Sequence, residues 1–346
     1  SRLVAMEIAW DARSDTFAGT PPLKAVRLGL ALACMMGASM LVCLYDVSVA
    51  FYHAALDENI HIVPPPGKEE PGWVWQLKRA LYGTRRASYL FQGFIMEVLS
   101  AAGFQRITLA CQVFWHATRK IYALVHGDDF MIIATSACAD WMDEILSAKL
   151  MIKRGPRIGN PLHGGVSSGS FLKRVIQWTP SGFMWHHDSK HVATIVKACL
   201  GAKVPPTRSV SPASKTVARK HRTAADPLPD EEKKIFQSIA ATALYLAGDR
   251  LDIQYAVVAI MRGMANPLVE HWLMLCRLAS YLHAHPTMVS RFEYQPMAEE
   301  VYCEVDADWA GDPTTRRSTD GGYEFFGNCV IDGWASTQQS VALSSG

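Results

Sequence analysis

The run Ile121-Tyr-Ala-Leu-Val-His-Gly127-Asp128-Asp129-Phe-Met-Ile-Ile-Ala-Thr135 constrains this chain more than any other stretch. Two apolar, β-prone segments meet at a Gly/Asp turn, the pattern of a hairpin buried on at least one face with its acids at the tip. Adjacent carboxylates repel, so one of them tends to take up a proton unless a divalent cation relieves the repulsion. Taken alone, the tripeptide is most often an ordinary polar turn. A second stretch shifts that weighting. Leu41-Val-Cys-Leu-Tyr-Asp46-Val-Ser-Val-Ala-Phe51 is a strand-like apolar run with a single acid, and a carboxylate in such a setting needs a partner or a metal. Beside Asp128 and Asp129 on neighbouring strands, Asp46 completes a hard, all-oxygen donor set suited to magnesium, with manganese as the alternative ion. Water and substrate phosphates supply the remaining ligands. Two such ions about 4 Å apart activate an attacking oxygen and stabilise a leaving one in phosphoryl transfer.

Four motifs in order carry a resemblance. Asp46-Val47-Ser48-Val49-Ala50-Phe51, Pro65-Pro66-Gly67, Leu77-Lys78-Arg79-Ala80-Leu81-Tyr82-Gly83 and Gly127-Asp128-Asp129 resemble the successive motifs of the reverse transcriptases of Ty1/copia-type retrotransposons. Further on, Leu244-Tyr245-Leu246, Arg250-Leu251-Asp252-Ile253-Gln254-Tyr255-Ala256-Val257 and His271-Trp272 are similar to that family's connecting helices. Val301 to Asp312, with Arg316-Arg317-Ser318-Thr319, resembles the opening strands of its ribonuclease H domain.

The resemblance implies an α+β fold: reverse transcriptase fingers, palm and thumb with an antiparallel palm sheet over residues 1–200, a basic Pro/Ser-rich linker over 201–230, a helical connection over 231–298 and the first part of a ribonuclease H-like α/β domain over 299–346. It implies an RNA-directed DNA polymerase, with RNA template, DNA primer and deoxynucleoside triphosphates as partners, in an intracellular setting such as a cytoplasmic virus-like particle or the nucleus. Asp46 and Asp128 would hold two magnesium ions with Asp129 in support. The primer 3′-hydroxyl would attack the α-phosphate, and pyrophosphate would leave. Phe51 takes the place of the aromatic that lies under the sugar and excludes a 2′-hydroxyl; by itself it reads equally as a core Phe, and both uses are compatible. Arg2 takes the place of a basic side chain facing the triphosphate, and from the residues alone it is as readily a solvated terminal arginine. Phe171-Leu172 occupies the position of a primer-side hairpin, and Asp306 that of the first nuclease metal ligand.

The chain also departs from the family. Where the family continues Leu-Lys-Gln-Ala-Pro, this sequence has Thr84-Arg85-Arg86-Ala87-Ser88. Arg86 replaces the Gln that contacts the incoming nucleotide, and its guanidinium offers bidentate donors to a phosphate instead. The departure keeps open a second reading, a catalytically degenerate relic that at most binds nucleic acid. A magnesium-dependent nuclease using the same acids is a third. The chain opens without a start signal and stops at Gly346, before the family's second nuclease carboxylate, so the expectation is a piece of a longer polyprotein without ribonuclease H activity.

A formal net charge of +2 excludes a global field as the means of holding nucleic acid, so any phosphate-binding surface is local. The 8 cysteines follow no metal spacing and read as reduced core thiols. Leu28 to Tyr45 is uncharged and near the ~18-residue minimum for a membrane span. Gly37, Ala38 and Ser39 interrupt it, which favours a buried helix over 22–36 followed by the strand of Asp46. Further helices are expected over 89–102, 139–150, 188–200, 230–246 and 251–264, with the palm sheet covered by helices on one face. The basic run Met151 to Arg157 reads as a solvated face or a template contact.

Overall fold

The computed structural model describes residues 3–108, 110–201, 209–213, 225–312 and 315–343. The chain divides into two units, Ser1–Leu172 with Trp178–Pro180, and Lys173–Gln177 with Ser181–Gly346. Through the first unit run α1 (Leu23–Met36), β1 (Leu41–Val47), β2 (His61–Ile62), β3 (Trp75–Gln76), α2 (Ala87–Ala101), β4 (Gln105–Arg106), β5 (Val113–His116), β6 (Ile121–His126), β7 (Asp129–Ala134), α3 (Ser136–Ser147), β8 (Ile152–Ile158) and β9 (Ser168–Phe171). Its main sheet has the order β4-β5-β6-β7-β1-β8, and each neighbouring pair is antiparallel.

Every side chain from Ile121 to Val125 and from Phe130 to Ala134 is buried, because both faces of this sheet are covered. Tyr122 and Met131 meet α1 at Gly29, where a Cβ would stand 3.0 Å from the Tyr122 ring and 2.9 Å from the Met131 methyl. Only a glycine lets helix and sheet approach this closely. The Tyr122 hydroxyl donates to the Ala25 carbonyl at 2.7 Å, so its polar end is satisfied inside the core. The alternate residues Ala123, Val125, Phe130 and Ile132 face a second core with Phe91 and Ile95 of α2 and Met142 and Leu146 of α3. The expectation of helices on one face is therefore corrected. Strands buried on both sides read as continuous apolar runs rather than alternating ones, and such runs do not report how many faces are covered.

The helix foreseen over 22–36 is α1, which ends at Gly37 with φ 107° in the manner of a glycine stop. Among the described residues no helix is long and apolar enough to cross a membrane. Thr135 caps α3 by accepting from the Cys138 amide, one of the amides a helix start leaves without an internal partner. The basic run after α3 becomes the edge strand β8, where Pro156 is tolerated because an edge has amides to spare. Its Arg154 and Arg157 reach back to Asp143 and Asp140 of α3, at 2.6 and 2.7 Å.

The second unit contains β10 (Arg174–Thr179) as far as Gln177, and β11 (Gly182–His186), α4 (Lys190–Leu200), α5 (Asp230–Ala247), α6 (Gln254–Met261), α7 (Val269–Ala284), β12 (Val289–Glu293), β13 (Val301–Ala307), β14 (Thr319–Phe326) and β15 (Cys329–Thr337). Helices α4 to α7 share one apolar core through Val192, Ile195, Phe236, Ala243, Ile260 and Leu278. Strands β13, β14 and β15 form an antiparallel sheet in that order. The linker expected over 201–230 lies largely outside the described residues.

Candidate active site

Strand register brings the acids together. Strands β1 and β7 pair so that Asp46 stands opposite Asp129, and β6 closes on β7 at His126 opposite Asp129, leaving Gly127 and Asp128 as the turn. Gly127 takes φ 65°, in the left-handed region that other residues enter at a cost. The Val47 amide donates to the Asp128 carbonyl at 2.9 Å, which ties the tip to the strand that carries Asp46. A slip of one residue would send either acid to the opposite face, so the two packed faces hold the acids in register.

Asp129 is half-buried. Burial pushes its carboxyl pKa up, and the negative charges of Asp128 and then Asp46 push it further. Asp46 has a different partner: its Oδ2 accepts from Lys153 Nζ at 3.0 Å, across the β1–β8 pair where Asp46 and Lys153 are register partners. The sequence reading did not single out Lys153. Gly155 and Pro156 disguise β8 as a loop, and only the cross-strand register identifies which basic residue of the run meets the acid.

Among the described residues no group of three or more His, Cys, Asp or Glu side chains is gathered closely enough to cage a metal ion. The donor chemistry nevertheless fits magnesium. The set is all oxygen, burial and then the charges of Asp128 and Asp46 raise the Asp129 carboxyl pKa, and this ion keeps waters and takes substrate phosphates, so it does not need a closed protein cage.

Hollows lie to either side of the acids. One, of about 130 Å³, is lined by Phe51, Tyr82, Phe91, Gln92 and Asp128 among others. Phe51 and Asp128 thus share a hollow. The other, of about 190 Å³, is lined by Asp46, Asp129, Lys153, Phe171 and Leu172 among others, which joins the Phe171-Leu172 segment to the same acids.

Arg86 is placed otherwise. It lines neither hollow, and its guanidinium is engaged by Asp57 through both oxygens, by Asp15 at 2.9 Å and by Glu58 at 3.7 Å. Arg13 completes the group with bonds of 2.9 Å to Asp15 and 3.2 Å to Glu58. The hydrogen bond from Arg13 holds the Asp15 carboxyl down to about 2, and Arg86 lowers that of Asp57. A phosphate reaching Arg86 would compete with three carboxylates. Arg2 lies outside the described residues. Asp306 belongs to the second unit, exposed on β13, where it lines an open cavity of about 620 Å³ with Glu304, Asp308 and Asp320.

Comparison with known proteins follows the same outline. A family model described as reverse transcriptase (RNA-dependent DNA polymerase) matches residues 1–155. The chain is similar to the retrovirus-related Pol polyproteins from transposons RE1 and RE2 of Arabidopsis thaliana, at 26% and 24% identity over 96% of its length. It is also similar to the putative transposon Ty5-1 protein of Saccharomyces cerevisiae, at 24% identity over 75% of this chain and 82% of that one. It spans 22% of the length of the RE1 and RE2 polyproteins.

Proposed function

Because this chain belongs to the copia-type retrotransposon reverse transcriptases, we propose that its first unit is the catalytic part of an RNA-directed DNA polymerase, joining deoxynucleotides to a primer on an RNA template. One observation carries the reading: Asp46 and Asp129 are directly opposed across two central strands, with Asp128 at the adjoining turn. In a sheet, opposed residues have side chains on the same face at close range. Asp46 and Asp129 line one hollow and Asp128 the other, an arrangement that suits a reaction whose substrates arrive from two sides.

The reaction is attack of a primer 3′-hydroxyl on the α-phosphate of a deoxynucleoside triphosphate, with pyrophosphate leaving. Asp46 and Asp128 would hold the magnesium ions and Asp129 would support them; bound there, the ions supply Lewis-acid activation of the hydroxyl and charge neutralisation at the phosphate. Phe51 forms the wall of the hollow beside Asp128 and excludes a 2′-hydroxyl from the sugar. Phe171 and Leu172 line the hollow on the Asp46 side and take the primer end. Lys153 neutralises Asp46 until substrate and ions arrive. In the second unit, Asp306 marks the first strand of a ribonuclease H-like domain. An intracellular compartment follows from the nucleotide substrates.

The test is primer extension on an RNA template. Magnesium-dependent extension by the wild-type chain that Asp128→Asn abolishes is the expected result, and equal background from both chains refutes the reading. One observation favours the alternative, a degenerate relic that only binds nucleic acid: Arg86, which stands where the family has its nucleotide-contacting Gln, is occupied by carboxylates. Primer–template binding by a wild-type chain that never extends would establish that alternative.

A further inference from the structure

Phe51 is braced from several directions. Its ring centroid lies 4.5 Å from that of Tyr82 at an interplanar angle of 42°, and 6.0 Å from Phe91 at 67°. Tyr82 also meets Tyr52 edge-on at 5.8 Å. These tilted and edge contacts are the favoured arrangements of aromatic rings, which their quadrupoles make directional. Phe51, Tyr82 and Phe91 all line the hollow that contains Asp128.

The backbone beneath Phe51 and Tyr82 is also held. Phe51 sits in a 3-10 turn, Ala50–His53, entered through Val49 at φ 49° and ψ 42°. A β-branched residue adopts that left-handed conformation only where its surroundings impose it. The Tyr82 carbonyl accepts from the Ala5 amide at 2.7 Å. The next residue, Gly83, at φ 90°, has the Ala5 carbonyl oxygen where a Cβ would stand. The N-terminal segment thus clamps the backbone of Tyr82, and the Tyr82 ring reaches Phe51 from a fixed base.

A steric filter discriminates only as strongly as it resists being pushed aside. An unsupported Phe ring turns about two side-chain bonds and yields to a hydroxyl at little cost; a ring held between neighbours does not. We propose that Tyr82 is a specificity-determining positioning residue, whose ring holds Phe51 against the sugar so that deoxy- and ribonucleoside triphosphates are told apart by the pair. The inference rests on the polymerase reading above and adds to it a residue and a role.

The test compares kcat/KM for a deoxynucleoside triphosphate and the matching ribonucleoside triphosphate in the wild-type chain, Tyr82→Phe, Tyr82→Ala, Phe51→Ala and the double variant Tyr82→Ala with Phe51→Ala. The same preference is read as a ratio of Kd values on a primer–template ended with a dideoxynucleotide, which requires no turnover. Tyr82→Ala is expected to lower the deoxy preference by about tenfold or more, the scale on which a pocket rejects an added hydroxyl. Tyr82→Phe, which keeps the ring, retains the preference. The double variant is no less selective than Phe51→Ala alone, because Tyr82 acts through Phe51. A merely structural role would lower both substrates in proportion and leave the ratio unmoved. The inference is overturned by an unchanged ratio in Tyr82→Ala, by Tyr82→Phe losing the preference as fully as Tyr82→Ala, or by a wild-type chain that binds both sugars equally. Failure of the wild-type chain to extend, with a Kd preference that Tyr82→Ala erases, would instead refute the polymerase reading and leave this one standing.

Discussion

Replacing Asp129 by Asn should make the metal-free chain more stable. Directly opposed residues of an antiparallel pair have Cα atoms about 5 Å apart, which puts the Asp46 and Asp129 charges roughly 6 Å apart. With a screened dielectric of about 40–80 for half-exposed groups, two like charges at that range repel by roughly 0.7–1.4 kcal/mol. Asp128 adds to the repulsion on Asp129, while Lys153 offsets part of the charge on Asp46. The net gain from removing the Asp129 charge is about 1 kcal/mol, or roughly 2–4 °C in Tm for a unit of this size. The dependence on pH has a definite sign. The folded-state pKa of Asp129 is raised above its unfolded value. Its penalty is therefore absent below the unfolded pKa of about 3.9, grows as pH rises past that value, and is complete above the raised folded pKa. The Tm advantage of Asp129→Asn should accordingly widen as pH is raised from about 4 to 7. Magnesium should close the gap, because an ion bound to the wild-type carboxylates stabilises that chain by mass action. Thermal unfolding with and without millimolar magnesium, at several pH values, provides the measurement. If Asp129→Asn lowered Tm in the absence of metal, or kept its advantage undiminished in magnesium, the account of this acid cluster would be wrong.

Three further outcomes follow from particular contacts. Arg86→Met leaves Asp57 without its bidentate partner and should cost about 2 kcal/mol in urea unfolding, the exposed carboxylate ends holding the loss below that of a fully buried pair; lost nucleotide affinity at unchanged stability would return Arg86 to the substrate. Lys153→Met frees Asp46 from an ammonium 3.0 Å away, and an exposed pair of this kind corresponds to roughly a threefold gain in magnesium affinity, read from the half-saturating concentration. In the second unit Arg174 and Asp249 are both buried and bonded at 2.7 Å, so Arg174→Met should destabilise that unit by about 3–5 kcal/mol, seen as lost hydrogen-exchange protection in α5.

Much of the local structure was legible because it depends on short-range patterns. The apolar runs either side of Gly127 became β6 and β7, the uncharged segment before Gly37 became α1, and the expected helices over 89–102 and 230–246 became Ala87–Ala101 and Asp230–Ala247. Asp46 does meet a cation, but its side chain is 44% exposed near the end of β1 rather than buried in the apolar strand, so the desolvation cost that its sequence setting suggested is largely avoided. Its first partner proved to be Lys153. Arg86 illustrates the opposite case. Its sequence neighbours suggested a phosphate contact, but its partners Asp15, Asp57 and Glu58 lie far from it along the chain, and no periodicity relates them to it.

The sequence by itself determined which segments would be strand or helix and which acids would be costly to bury, because backbone preference and desolvation act on a residue and its near neighbours. Tertiary structure alone decided that Asp46 faces Asp129, that Lys153 is the lysine on Asp46, that helices cover both faces of the sheet, and that Tyr82 stands against Phe51. Those outcomes depend on strand register and on packing between distant segments, where a shift of one residue reverses every side chain. Only the summed fit of the whole core selects that register.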